Sequence, residues 1–257
     1  VTPRRQVDHS DKKLGRLPRR DDPRTLRLAR YLLPSDLPPA PVHLDYTSAV
    51  PEWPMYGNDR LGDCFWAMIG HMIQAETAAA GSLVTISEDA VLGGYSGCTG
   101  WRPSDPSTDQ GTVMLDGLNW WRRQGVGGHK IVAYAAVDPK NDTQVDAAMT
   151  IFGGLAVGAN MPLSAQQQHE WKVGRGAAGA PGSWGGHAIP NLSYKRRSGP
   201  FGTPSWGELL SMTQGFRHRY VDELYAVVTE DFINRAGMSP QGLKLQALLD
   251  DLAKITH

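Results

Sequence analysis

Apolar residues recur at three- and four-residue spacing from Cys64 to Ala80, where Phe65, Met68, Ile69, Met72 and Ile73 predict a helix with one buried face. Ser87 followed by Glu88 to Tyr95 reads as a shorter helix with its own cap, and Gly111 to Gln124 as a third. In that third segment Val113, Leu115, Leu118, Trp120 and Trp121 form a broad apolar surface, and Gly125 ends it. The second half changes period. His129 to Val137 reads as a strand, Gln144 to Phe152 as a helix and Gly154 to Asn160 as a buried strand. Residues 172–186 form a glycine- and alanine-rich loop. His187 to Tyr194 and Tyr220 to Val228 are further strands, and leucines at helical spacing predict a terminal helix from Ser239 to Ile255. Helices first and sheet second make an α+β protein of two lobes with a cleft between them.

The start of the chain does not share this pattern. Residues 1–22 are rich in charge and poor in apolar groups, which predicts an irregular arm. Asp22-Pro23 then opens a short helix through Leu33, and Pro34, Pro38, Pro39 and Pro41 end it and enforce an extended stretch to Leu44. The organisation expected is a basic, Pro-rich arm over 1–44, a globular body over 45–235 and a C-terminal helix over 236–257. Whether the arm docks on its own body or on a partner is open at this level.

Charge sharpens the division. Lysine plus arginine and aspartate plus glutamate are equal in the 257 residues, 26 each, so overall charge argues against nucleic-acid binding. Residues 1–30 nevertheless hold ten basic and four acidic side chains, a local charge of +6 that leaves −6 on the rest. No run of about 18 apolar residues exists to span a membrane, and the charged first thirty residues hold no secretory apolar core. A soluble protein, cytoplasmic or virion-associated, is the expectation. Two cysteines, Cys64 and Cys98, exclude a disulfide framework; both are expected reduced, with Cys98 a small buried filler. No CxxC pair, HExxH or phosphate loop appears, so neither metal, nucleotide nor other cofactor is expected.

The chemistry centres on Gly57-Asn58-Asp59-Arg60-Leu61-Gly62-Asp63-Cys64, where a polar loop gives way to the first helix. Backbone N–H groups at a helix start favour a thiolate, so Cys64 is a candidate nucleophile. Gly57 and Gly62 let the loop backbone approach a substrate, and Asn58 offers an amide that, with the N–H of Cys64, suits an oxyanion hole. Asp63 raises the thiol's pKa if close, or caps the helix. His187, between small residues at a strand start, is a candidate base. His71 lies two turns below Cys64, too far to be the base. Arg217-His218-Arg219 reads as a solvated face.

These motifs resemble the papain-like cysteine peptidases over residues 46–228. In that family a glutamine stands six residues before a cysteine followed by an aromatic residue and alanine; here the matching residues are Asn58, Cys64, Phe65, Trp66 and Ala67. Asp109-Gln110-Gly111 resembles the entry to the family's second left-lobe helix, 154–159 its first right-lobe strand, Gly186-His187-Ala188 its histidine motif and Ser205-Trp206-Gly207 its serine-tryptophan-glycine run. The resemblance implies a helical left lobe and an antiparallel sheet or barrel as right lobe, with a Cys64–His187 dyad acting on a peptide or isopeptide bond through a thioester. It further implies Asn58 as oxyanion donor and Trp206 as a shield for the histidine.

Two positions depart from the family. Pro204 stands where an asparagine orients the imidazole, leaving Ser205, Thr203 or a carboxylate to substitute. Asn58 is one methylene shorter than glutamine, a misplacement of about 1.5 Å that can cost about a hundredfold in rate. Residues 56–64 and 182–188 are also similar to runs in largely uncharacterised proteins of actinobacteria and their phages. That likeness implies an alternative: a weakly active or inactive papain-fold structural protein, such as a virion component gripping the capsid through residues 1–44. A cell-wall amidase is the rival enzyme class; its histidine follows the cysteine sooner than here.

Overall fold

The computed structural model describes residues 7–33, 35–36, 38–197, 199–229 and 244–254. Within the arm, the helix expected from Asp22 to Leu33 is reduced to a 3-10 turn over Leu28–Arg30. The Asp22 carboxylate accepts the N–H of Arg24 (2.9 Å), but the chain then extends so that the N–H of Ala136 reaches the carbonyl of Leu26 (2.7 Å). Pairing with the body outweighs the local helix signal. The arm ends in β1 (Leu44–Asp45).

Helix α1 (Cys64–Ala79) is buried almost all round rather than on one face, because it lies between the other helices and the sheet. Glycines on its neighbours make room for its aromatic side chains: a Cβ at Gly94 would stand 2.6 Å from the Trp66 ring, and one at Gly117 would stand 2.2 Å from Phe65. Helix α2 (Glu88–Thr99) begins on the Ser87 cap, whose Oγ accepts the Ala90 N–H at 3.2 Å, and ends at Gly100 with φ +76°. Helix α3 (Met114–Arg123) starts three residues later than its apolar pattern suggests, since Gly111 takes φ +82° to carry the chain past the arm. Its end at Gly125 (φ +80°) is as expected.

Beyond it come β2 (Ile131–Ala136), α4 (Asp142–Phe152), β3 (Leu155–Met161), β4 (Glu170–Trp171), β5 (Gly185–Asn191), β6 (Ser193–Tyr194), β7 (Phe201–Ser205), β8 (Glu208–Met212), α5 (Gln214–Tyr220), β9 (Val221–Thr229) and α6 (Leu245–Ala253). The rest of the predicted C-terminal helix, 239–243 and Ile255, lies outside the described residues. Strands β2, β9, β3 and β5 form an antiparallel sheet in that order; β1, β6, β7, β8 and β4 form a second, parallel at β4–β8. The right lobe is therefore two sheets and not a closed barrel. The β7–β8 hairpin turns at Trp206 (φ +50°) and Gly207 (φ +75°), a two-residue loop with no period-2 signature to announce it.

Arg217-His218-Arg219 is a solvated face only in part: Arg219 is exposed, His218 is partly exposed and Arg217 is buried. Arg217 is fully buried in α5, donating to the Pro139 carbonyl and to Asp142, and His218 Nε2 lies 2.9 Å from the same carboxylate. Asp142→Ala strands that guanidinium and is expected to cost about 3 kcal/mol in a denaturant titration; Arg219→Ala, on an exposed side chain, is expected to change little.

Candidate active site

Cys64 is the first residue of α1, and its neighbours are fixed by the loop before it. The N–H groups of Arg60 and Leu61 both close on the carbonyl of Gly57 (3.0 Å each), a turn made possible by φ +80° at Gly57. Asp63 occupies the cap position without a side-chain cap bond, contrary to the capping role considered for it; its carbonyl instead receives Trp66 and Ala67. The Asp63 carboxyl is buried, accepts from Asn58 Nδ2 at 3.3 Å through one oxygen only, and is pushed well above the usual carboxylate range by burial. Asn58 is thus turned toward Asp63 in this state.

His187 lies on β5, the strand that packs on α1 and pairs with β3 at Ala159. The next residue joins the two lobes: the N–H of Ala188 points at the Cys64 sulfur, 3.3 Å away. The imidazole is held on two sides. Trp206 stacks on it, 4.5 Å between centroids and 10° from parallel, and the Ser205 hydroxyl lies 2.8 Å from Nε2. Ser205 takes the place that the resemblance reserves for an asparagine, Pro204 being in the strand beside it; Thr203 is buried without a hydrogen bond from its hydroxyl. The other ring nitrogen, Nδ1, is buried and unpartnered. His71 is buried below, its Nε2 2.9 Å from the Pro54 carbonyl. Cys98 is half-buried rather than buried, and both thiols are free.

Across this site runs the chain's own arm. The Gly15 N–H favours the ionised form of the Cys64 sulfur, and the Gly15 carbonyl accepts the Thr112 N–H (2.8 Å). Arg16 donates its N–H to the Gly186 carbonyl (3.0 Å), and Leu17 donates to Thr112 (3.0 Å). The slot is lined by glycine. A Cβ at Gly15 would stand 1.9 Å from the Gly62 oxygen, one at Gly111 2.1 Å from the Gly15 oxygen, and one at Gly186 2.1 Å from the Arg16 oxygen. Gly62 does permit a close backbone approach, and the backbone that approaches is residue 15. His9 rests on the far side of Trp206 (5.0 Å between centroids), and Lys13 pairs with Asp109, which also accepts from Gly62 N (3.0 Å) and the Tyr95 hydroxyl (2.6 Å).

The arm sets the electrostatics. Burial pushes the Cys64 thiol up to about 11, with Asp63 adding to it, while the two N–H groups and Arg16 oppose. Burial pulls His187 down to about 3, and the guanidinium of Arg16 adds to that, with His9 contributing when protonated. Both shifts favour the uncharged forms, a thiol at Cys64 and a neutral imidazole at His187. Sequence reasoning brought Cys64, His187, Ser205, Trp206 and Gly62 to one place, but missed Gly15, Arg16 and Asp109. The signal available for the first two was the +6 charge of the leading thirty residues against the −6 of the body.

A central cysteine-headed helix, packed against a β-sheet lobe whose edge strand carries a histidine, is the papain-like fold. The chain is similar to xylellain, a cysteine protease from Xylella fastidiosa (TM-score 0.61, 13% identity, 89% of this chain and 99% of that one). It is also similar to proCathepsin B S9 from Trypanosoma congolense (TM-score 0.59, 11% identity, 86% and 88%) and to digestive procathepsin L 3 of the Tenebrio molitor larval midgut (TM-score 0.51, 12% identity, 86% and 77%). No protein-family model and no curated protein matches the sequence.

Proposed function

We propose that the chain is a papain-like cysteine peptidase or amidase held latent by residues 9–17. The observation that carries this reading is a stretch of ordinary peptide backbone seated on the sulfur: the groove beside Cys64 and His187 already holds an extended chain by main-chain hydrogen bonds on both sides. Two of the similar structures are pro-forms by name, which supports the same state here.

Once the arm leaves, burial and the positive charge of Arg16 are lifted from His187, and a thiolate–imidazolium pair becomes accessible. The Cys64 sulfur attacks the substrate carbonyl, forming a C–S bond and an oxyanion that the Cys64 N–H and the Asn58 amide, released from Asp63, stabilise. His187 gives its proton to the departing amine as the C–N bond breaks. It then accepts a proton from water, which attacks the thioester and restores the thiol. Ser205 and Trp206 hold the ring in register for both transfers.

Acid is expected to release the arm. An imidazole held down to about 3 in the closed state, against an ordinary 6.5, resists protonation there and accepts it when uncovered. Protonation therefore favours the open form progressively as pH falls below about 6.5, by up to about tenfold per unit. His71, held down to about 4 by burial in the folded protein, adds a general loss of stability over the upper part of the same window. The test is a covalent thioether adduct: after incubation of the protein at pH 5, a peptidyl vinyl sulfone should add to Cys64, identified in its tryptic peptide, and should add far more slowly at pH 8 before acid treatment. Absence of an adduct at either pH, with the arm shown to be displaced, contradicts the proposed function.

A further inference from the structure

The oxyanion site assigned above depends on where the Cys64 N–H points, yet Asp63 at the cap makes no side-chain bond to steady the first turn. The loop is held instead from the segment before α3. Asp109, its side chain 4% exposed, takes the N–H of Gly62 in a fork, with Oδ1 at 3.0 Å and Oδ2 at 3.3 Å. Gly62 lies two residues before the nucleophile. Oδ1 also accepts the Tyr95 hydroxyl (2.6 Å), whose oxygen in turn accepts the N–H of Gly111 (3.0 Å). We propose that Asp109 is a positioning residue, a buried carboxylate that fixes the backbone running from Gly62 into Cys64 and so aims the oxyanion N–H. The inference rests on the peptidase reading above and adds a residue to its machinery.

The anchor is rigid on its own side. Tyr95 is fully buried in α2 and its ring stacks on Trp101, 5.3 Å between centroids and 22° from parallel, so Oδ1 is tied to a helix rather than to a loose loop. The fit is also close: a Cβ at Gly62 would stand 2.9 Å from Oδ1, so glycine lets the carboxylate lie against this backbone. A charged acceptor holds its donors more tightly than a neutral one. The two oxygens divide their partners. Lys13 of the arm pairs with Oδ2, while the Tyr95 hydroxyl and the shorter Gly62 bond fall on Oδ1. When the arm leaves, Lys13 goes with it, as does the arm's other charged anchor, Arg16, which pairs with Asp222 (2.8 Å) and Glu223 (2.6 Å). The bonds on Oδ1 come from the body alone and persist in the open form, where the nucleophile works.

The test uses the full chain carrying Gly15→Val to displace the arm, with kcat expressed per Cys64 titrated by the peptidyl vinyl sulfone. Asp109→Ala should lower kcat by about thirtyfold and hold KM within about twofold, since a misaimed donor is felt in the transition state. Asp109→Asn, with an amide oxygen in place of Oδ1, should keep kcat within about threefold, and Tyr95→Phe, which removes one donor from that oxygen, should fall between the two. A merely stabilising carboxylate would lower the melting temperature or the number of titratable thiols and leave kcat per site alone. That result overturns the proposal, as does a loss confined to KM or an Asp109→Asn loss as deep as that of Asp109→Ala. Amide hydrogen exchange needs no turnover: residues 57–64 should exchange about tenfold faster in Asp109→Ala and Tyr95→Phe, and at the parental rate in Asp109→Asn. Should Asp109→Ala not fold, Tyr95→Phe carries both measurements. Equal exchange in every variant overturns the proposal. Absence of hydrolysis in Gly15→Val itself counts against the peptidase reading instead, and exchange alone then decides the anchor.

Discussion

Gly15→Val is expected to turn a latent chain into a peptide hydrolase, raising the initial rate on a fluorogenic peptide at neutral pH by about a hundredfold, equivalent to tilting the closed–open balance by about 2.7 kcal/mol. The reason is geometric. A Cβ at residue 15 would fall 1.9 Å from the Gly62 carbonyl oxygen, a backbone atom that cannot swing aside as a side-chain tip does. Either the arm leaves the slot or the loop before Cys64 distorts, and the arm is the looser partner, joined to this stretch by a few main-chain bonds, the Arg16 cluster and Lys13–Asp109. Pro18→Ala, on an exposed residue of the same arm, should leave the rate unchanged. Activity that stays at the parental level in Gly15→Val, with the protein folded, contradicts the latent-enzyme account.

In that activated background, His187→Ala is expected to lower kcat/KM by about 10⁴ or more, the scale on which loss of a paired base is felt in nucleophilic catalysis. Cys64→Ala should remove turnover altogether. Ser205→Ala probes a different kind of contribution, since its hydroxyl touches only the far nitrogen of the ring, 2.8 Å away. It should cost about tenfold, on the order of one hydrogen bond, and shift the acid limb of the pH profile because the imidazolium loses a partner. A loss as large as that of His187→Ala, or no shift in the profile, argues against a positioning role.

How far the sequence carried this reading depends on the kind of signal. Elements with long apolar periods were legible: α1 begins at Cys64 as predicted, and the buried strand expected at 154–160 is β3 at Leu155–Met161. The β7–β8 hairpin escaped because Pro204 interrupts it and its turn rests on Trp206 in a positive-φ conformation that no turn dipeptide announces. Arg217 was misread because a basic run ordinarily faces water; only the fold brings Asp142 beside it. Residues separated by the whole chain were out of reach altogether. Arg16 meets Glu223 across 207 positions, and a short glycine-flanked segment in a charged arm carries no local mark of where it will dock. Composition left open whether the arm docks on its own body or on a partner; in the structure residues 9–17 lie on the chain's own cleft.

The most direct test of a covered Cys64–His187 site is the alkylation rate of each cysteine by iodoacetamide, followed by peptide mass spectrometry between pH 5 and 9. Both thiols are pushed up to about 11 in the closed state, and Cys98 is the more exposed. The parental chain at neutral pH should therefore label slowly at Cys98 and more slowly still at Cys64. Gly15→Val should reverse the order, with Cys64 reacting about a hundredfold faster than Cys98 and holding that rate down to mildly acid pH, as a thiolate–imidazolium pair does. Cys64 labelling no faster than Cys98 in the arm-displaced protein, at every pH, would contradict the account.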